Sequence, residues 1–247
     1  MTRFVALVAV FLASIAAAPP AYHVVVVSNG GTISGQITYA GTPPARKEIN
    51  PTVDAAICGK HGPIASDDLV VSARGGIQYA VVRLTNITEG RAATDLPVVS
   101  LVQQGCMFEP HVIAVSAGFP VYERNLDGVL HNVHTHSARN RPVNFAHIPS
   151  VPQMLLAKFS APESIRVTCD VHNWMSAWIW VVSNPYIAIT GPDGGYSIAG
   201  IPPGHYKVEI WHDTLGSVTR EVTVEAGKTT RLDQTYPLPH RGASTKK

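Results

Sequence analysis

Three side chains able to hold a soft metal crowd into one short stretch. Residues 165–182 read IRVTCDVHNWMSAWIWVV. Ile165, Val167 and Cys169 share one phase of an alternating strand, so the Cys169 thiol faces inward at the strand's end. His172 and Met175 follow in a Cys-x2-His-x2-Met loop, and a second apolar strand begins near Ala177. A fourth donor lies upstream, where residues 125–136 read NLDGVLHNVHTH. Val129, His131 and Val133 keep the apolar phase, whereas His134 and His136 take the opposite one. His131 is therefore the histidine aimed at the core, and it lies far enough before Cys169 to come from a separate strand.

Two imidazoles, one thiolate and one weak thioether are the donors that a mononuclear copper centre requires. Soft sulfur stabilises Cu(I), imidazole suits both oxidation states, and a site clamped between strands changes shape little as its charge changes. The metal itself keeps the thiol deprotonated. Zinc is the main competitor, but thioether is a poor zinc ligand and a structural zinc site wants four Cys or His. A binuclear copper site would need a second Cys in the loop, and haem attachment would need C-x-x-C-H. A Cys169 nucleophile with His172 as base would sit in poor geometry and lacks an orienting partner. Taken singly, Cys169 reads as a small buried hydrophobe, Met175 as core, and each histidine as a satisfied polar group. The four together, in matching phase, outweigh those readings. His134 and His136 read as surface groups, with a second metal as their other reading.

The elements that must position these donors are strands. Period-2 alternation recurs between Gly, Pro, Asn and Asp: Ile33, Ile37 and Tyr39 share a face, as do Ala80, Val82 and Leu84, then Tyr206, Val208 and Ile210, then Val222 and Val224. Turn chemistry separates them at Pro192-Asp193-Gly194-Gly195 and Pro202-Pro203-Gly204. No convincing amphipathic helix is present, so the fold class expected is all-β, built as β-sandwiches. Residues 40–68 and 86–100 read as irregular. Residues 177–182 are apolar on both faces, which places at least part of the run Trp174, Trp178 and Trp180 in a core or a domain contact rather than a docking patch.

Composition narrows the classes. Of 247 residues, 45% are hydrophobic and 15% charged, which excludes a disordered chain. Lys and Arg number 19 against 17 Asp and Glu, a net charge of +2, so no general pull toward nucleic acid is expected. Residues 1–18, MTRFVALVAVFLASIAAA, have the layout of a secretory signal, with an uncleaved anchor as the alternative. The expectation is a periplasmic or secreted protein with no membrane span after cleavage, ending in a flexible tail at 237–247. Three cysteines leave one thiol over. Cys169 has metal-binding company, so the simplest pairing is a Cys58–Cys106 disulfide; two buried thiols that never meet are the other reading. Asn86-Ile87-Thr88 is a glycosylation sequon of a kind that chance often supplies.

Asn125, the run His131-Asn132-Val133-His134 and Cys169-x2-His172-x2-Met175, with the lead-in Phe108-Glu109-Pro110, Gly118 and Val121, resemble the cupredoxin family, in its amicyanin- and plastocyanin-like branch. The resemblance covers about residues 101–183 and implies a Greek-key β-sandwich with one copper held by His131, Cys169, His172 and Met175. It further implies that Asn132 ties the His131 strand to the Cys169 loop, and that His172 is the ligand nearest solvent and the electron exit. Asp170, Val171 and Asn173 stand where amicyanin-like loops carry prolines. The flanks resemble a second family, the carboxypeptidase regulatory-like domain, a transthyretin-like sandwich without catalytic residues. They do so through Asp193-Gly194-Gly195-Tyr196-Ser197-Ile198 and Ile201-Pro202-Pro203-Gly204-His205-Tyr206, with Thr32 to Ile37 and Ala80 to Leu84 as earlier strands.

The organisation expected is a cupredoxin domain at 101–183 inserted in a discontinuous sandwich of 24–95 and 184–236, with two adjoining sequential domains as the alternative. The combination resembles chains labelled methylamine-utilisation proteins. The function expected from the copper donors is electron transfer between periplasmic partners such as a c-type cytochrome or a dehydrogenase, without catalysis. A non-redox copper store, or a module binding glycan or protein, is the second reading. A copper oxidase or nitrite reductase would need further His-rich copper centres.

Overall fold

The computed structural model describes residues 22–149 and 151–236. The expected export signal at 1–18 and the tail at 237–247 lie outside the described residues. Within them the regular structure is almost wholly strand, in two packed pairs of sheets.

The first sandwich is drawn from residues 99–182. One sheet runs Met154–Lys158, Pro120–Asn125, Val99–Gln104, Met107–Glu109, and the facing sheet runs Asn144–His147, His131–His136, Glu163–Thr168, Ser176–Val182, Val112–Ser116. Their inner faces bury Leu101, Phe108, Ile113, Val121, Val133, Ile165, Val167 and Ile179. Burying each such side chain contributes roughly 1.5–3 kcal/mol. Cys169 and Met175 join this cluster at one end.

The second sandwich takes strands from both flanks. Ile187–Ile189, Val81–Leu84, Gly204–His212 and Gly216–Val224 form one sheet. In the other, Gly31–Tyr39 lies between Gly195–Ile201 on one edge and Thr229–Arg231 and Gln234–Tyr236 on the other. The register Ser34 to Ser197 and Val82 to Ile210 joins residues far apart in the chain. The chain thus leaves this sandwich beyond Leu84, builds the whole first one, and returns at Ile187.

The run 177–182 is apolar on both faces because it has two cores to serve. Ala177, Ile179 and Val181 face the first sandwich. Trp180 and Val182 pack with Val81, Val112 and Ile187, where the sandwiches meet. The Trp211 ring stands edge-on to Trp178 and Trp180, at 5.0 and 5.2 Å between centroids, and the Arg83 guanidinium lies over Trp180. Edge-to-face rings at such spacing add about 0.5–1.5 kcal/mol each beyond burial.

Residues 40–68 keep little regular structure: a two-residue ladder of Glu48–Ile49 with Ile64–Ala65, and one helical turn at Ala55–Cys58. This segment lies against the end of the first sandwich, stapled there by a disulfide between Cys58 and Cys106.

Glu163 organises the turn that joins two strands of the five-stranded sheet. Its carboxylate accepts hydrogen bonds from the Ser137 hydroxyl, from Asn140 Nδ2 at 2.7 Å, and from the backbone N–H groups of Ala138, Arg139 and Asn140. Burial acts against these donors, but they prevail and hold its pKa down at about 2. A depressed carboxyl stabilises the fold above its unfolded pKa and loses that contribution as pH falls toward the folded one. Glu163→Gln should therefore cost about 1 kcal/mol at pH 7, after allowance for solvent screening. The gap from the parent in thermal melts should close as pH drops from 4.5 to about 2.

Candidate metal centre

His131 opens the strand His131–His136, which lies between Asn144–His147 and Glu163–Thr168 in the five-stranded sheet. Cys169 directly follows Glu163–Thr168, and the loop to Met175 closes on itself. Met175 N–H donates to the His172 carbonyl at 3.0 Å, Cys169 N–H to the Met175 carbonyl at 3.3 Å, and His172 N–H to the Cys169 sulfur at 3.4 Å. Asn132 lashes this loop to the neighbouring strand. Its Oδ1 accepts from Asp170 N–H at 2.6 Å, and its Nδ2 donates to Asp170 Oδ2 at 3.0 Å and to Asn144 Oδ1 at 2.7 Å.

The donors converge. His131 Nδ1 and His172 Nδ1 stand 2.9 Å apart, and Cys169 Sγ is 3.8 Å from His172 Nδ1. One donor atom from each of the three lies within 4.8 Å of the others. His131, His172 and Met175 are fully buried and Cys169 is 3% exposed. His134 and His136 stay out of this cluster. They stack on each other on the outer face, one contacting Asp170 and the other Thr168.

Two carboxylates decide what the imidazoles can do. His131 Nε2 is 2.9 Å from Asp127 Oδ2, and His172 Nε2 is 3.1 Å from Asp54 Oδ2. A carboxylate only accepts, so each Nε2 carries the proton and donates it. That leaves both Nδ1 lone pairs directed at each other and at the sulfur. Three electron-rich atoms at such spacing need a cation among them. A proton serves in part: burial alone would lower His131, yet Asp127 and Cys169 push it up to about 9. His172 is driven down by its burial and by the charge on His131. Burial would raise the Cys169 thiol, but His131 and the backbone N–H groups of Asn132, His172 and Val171 bring it below its ordinary value. Asp127 is likewise held low against its burial by His131 and by the N–H groups of Cys106 and Gly105. A cysteine sulfur with a lowered pKa, two oriented imidazoles and a buried thioether are donor types that fit a copper ion. Cys106 also comes near Asp127 and His131, but its sulfur is committed to the disulfide.

The resemblance implied that His172 lies nearest solvent, whereas its side chain has no exposed surface. The irregular segment folds over it: Asp54 reaches Nε2, Cys58 Sγ lies 3.7 Å from the same atom, and the Trp174 ring covers it at 5.0 Å between centroids. Trp174 is held by donating to the Cys106 carbonyl at 3.0 Å. Asp54 and Asp127 are the functional residues that sequence reasoning missed. Asp127 could have been found, since a carboxylate four residues before His131 in a turn is placed to reach it. Nothing local in the sequence brings Asp54 back to the 169–175 loop.

Residues 180–237 match the carboxypeptidase regulatory-like domain. No curated protein matches the chain. Among solved structures, the chain is similar to a copper-containing nitrite reductase from Thermus scotoductus SA-01, at 21% identity and a TM-score of 0.32 over 35% of this chain. It spans 22% of that reductase's length. It is similar to a purple cupredoxin from Nitrosopumilus maritimus at 15% identity, covering 34% of this chain and 99% of that one, with a TM-score of 0.29. Amicyanin from Paracoccus versutus is matched at 20% identity over 41% and 97% of the two chains, with a TM-score of 0.27.

Asp127→Asn keeps the size of the side chain and removes the obligate acceptor. Copper affinity, measured by competition with a chelator, should fall by about 10–100-fold. An unchanged affinity would mean that Asp127 does not orient His131.

Proposed function

We propose that this chain is an exported mononuclear copper protein that passes single electrons between redox partners in the periplasm. The observation that carries the reading is the pair of Nδ1 atoms 2.9 Å apart beside a buried sulfur, with each imidazole's other nitrogen held by its own carboxylate. Copper bound there would alternate between Cu(I) and Cu(II), taking up and releasing one electron.

The chain's own residues supply the conditions for that role. Cys169 offers a sulfur whose thiol is held below its ordinary pKa, against its burial, by His131 and by the N–H groups around it. His131 and His172 enter with their tautomers set. Met175 is fully buried, with its backbone tied to Cys169 and His172, and its thioether would be the weak donor that tunes the potential. Asn132 and the loop's internal hydrogen bonds resist changes of shape, which keeps the donor geometry similar in both oxidation states. Four protein donors leave the ion no need of a substrate, so the reading includes no catalytic step. The partners proposed are a c-type cytochrome or a periplasmic dehydrogenase, and export rests on the layout of residues 1–18.

The second reading is copper held without redox traffic. It is favoured by one observation, the full burial of His172 beneath Asp54 and the disulfide, since an electron must cross that cover. Electron self-exchange of the copper-loaded protein separates the two: fast exchange supports the carrier, and sluggish exchange with tight binding supports the store.

Cys169→Ser should abolish the intense thiolate-to-copper visible band and the narrow copper hyperfine pattern in electron paramagnetic resonance. Survival of both would remove Cys169 from the centre. In a separate experiment, Met175→Leu should retain copper and shift the reduction potential upward, as loss of a weak axial donor destabilises Cu(II). An unchanged potential would exclude Met175 as a ligand.

A further inference from the structure

A second convergence of donors lies where the two sandwiches meet. Asp68 comes from the irregular segment. His111 comes from the head of the strand Val112–Ser116, and Asp213 from the turn between Gly204–His212 and Gly216–Val224. One donor atom from each lies within 4.8 Å of the other two. His111 Nε2 is 3.0 Å from Asp213 Oδ2, and His111 is 1% exposed.

The tautomer of His111 is fixed in the same way. His111 Nδ1 is 3.1 Å from the Ser176 carbonyl, which can only accept, so Nδ1 carries a proton. Nε2 then directs a lone pair at the Asp213 carboxylate unless a cation stands between them. A histidine that donates one nitrogen to a backbone carbonyl and offers the other is the usual arrangement of a metal-ligating imidazole. Charge points the same way. Arg46 pairs with Asp67 at 2.5 Å, while Asp68 and Asp213 both face His111, and His212 Nδ1 lies 3.2 Å from the other Asp213 oxygen. A proton on His111 balances one of these two negative charges, and a divalent ion balances both.

The three segments are also tied to one another. Thr214 N–H donates to Asp213 Oδ1 at 2.9 Å, and the Thr214 hydroxyl donates to the Asp68 carbonyl at 2.5 Å. His212 does not compete for the ion through Nδ1, which accepts from the same Thr214 N–H at 3.2 Å. Asp68 is exposed, which gives an ion a way in from solvent.

We infer that Asp68, His111 and Asp213 form a second metal site, for a divalent ion of the zinc class, which clamps the two sandwiches together. One imidazole and two carboxylates without sulfur suit Zn(II) or Co(II), with water completing the coordination. This inference does not rest on the copper reading, because no donor is shared.

Co(II) distinguishes the sites. Bound to the thiolate centre it gives strong sulfur-to-metal absorption in the near ultraviolet, whereas a site of one His and two Asp gives only weak visible bands. Titration of the full chain freed of metal should show a Co(II) ion without the thiolate band. Asp68→Asn and Asp213→Asn should each weaken that ion at least about tenfold and leave any thiolate absorption as in the parent. Zn(II) should raise the melting temperature of the parent, because it binds only the folded arrangement of three segments, and raise that of either variant much less. Asp68 is at the surface, so Asp68→Asn tests the site even if Asp213→Asn fails to fold. The inference is overturned if the parent and Asp68→Asn bind Co(II) alike, or if Zn(II) raises both melting temperatures equally. His111 and Asp213 would then be an ion pair only.

Discussion

Two imidazole nitrogens and a sulfur, all shut away from water, face one another within 4.8 Å. Lone pairs at such spacing repel, and in a low-dielectric interior the repulsion is not screened. A proton on His131 relieves part of this, and groups outside the triad keep each ring from turning. Asp127 and Asp54 do this by accepting the far nitrogens' protons, and Asn132 does it by holding the loop against the strand. The need for positive charge in the middle follows from this geometry, and the donor types make copper a good answer to it.

Much of the N-terminal architecture reads as service to that constraint. Asp54 can reach His172 only because residues 40–68 are brought back over the end of the sandwich. The disulfide between Cys58 and Cys106 spans 48 residues of sequence, and closing a loop of that length is worth about 4 kcal/mol in the chain-entropy picture. Its second cysteine lies in the turn whose N–H groups also bind Asp127. One staple therefore holds the supports of both imidazoles. The same cover removes His172 from solvent, so the chain gains rigidity at the centre.

The second sandwich shares a wall with the first through the strand Ser176–Val182, which begins immediately after Met175. Alternate side chains of this strand enter two different cores, and Trp211 wedges against its outer face. Burial on both sides leaves the strand little freedom, and that stiffness is transmitted to the loop carrying three of the four donors. His111 adds a link across the same wall, since it donates to the carbonyl of Ser176 while facing Asp213 of the other sandwich.

Local regularities were enough for part of this picture. Strand alternation, turn residues and the absence of helical periodicity determine an all-β chain, because a period of two is imposed by the backbone itself. The same parity separates buried His131 from outward-facing His134 and His136. The order Cys-x2-His-x2-Met brings three donors together because a tight loop has few ways to run. Tertiary structure alone decided the rest. Asp54 lies 118 residues from His172, and Asp213 lies 102 from His111; neither pairing leaves a periodic trace. His172 was expected to be the ligand nearest solvent and has no exposed surface, because exposure depends on what folds over a loop as well as on the loop. Parity records which way a side chain points, whereas what covers it is set by contacts between segments that share no local pattern.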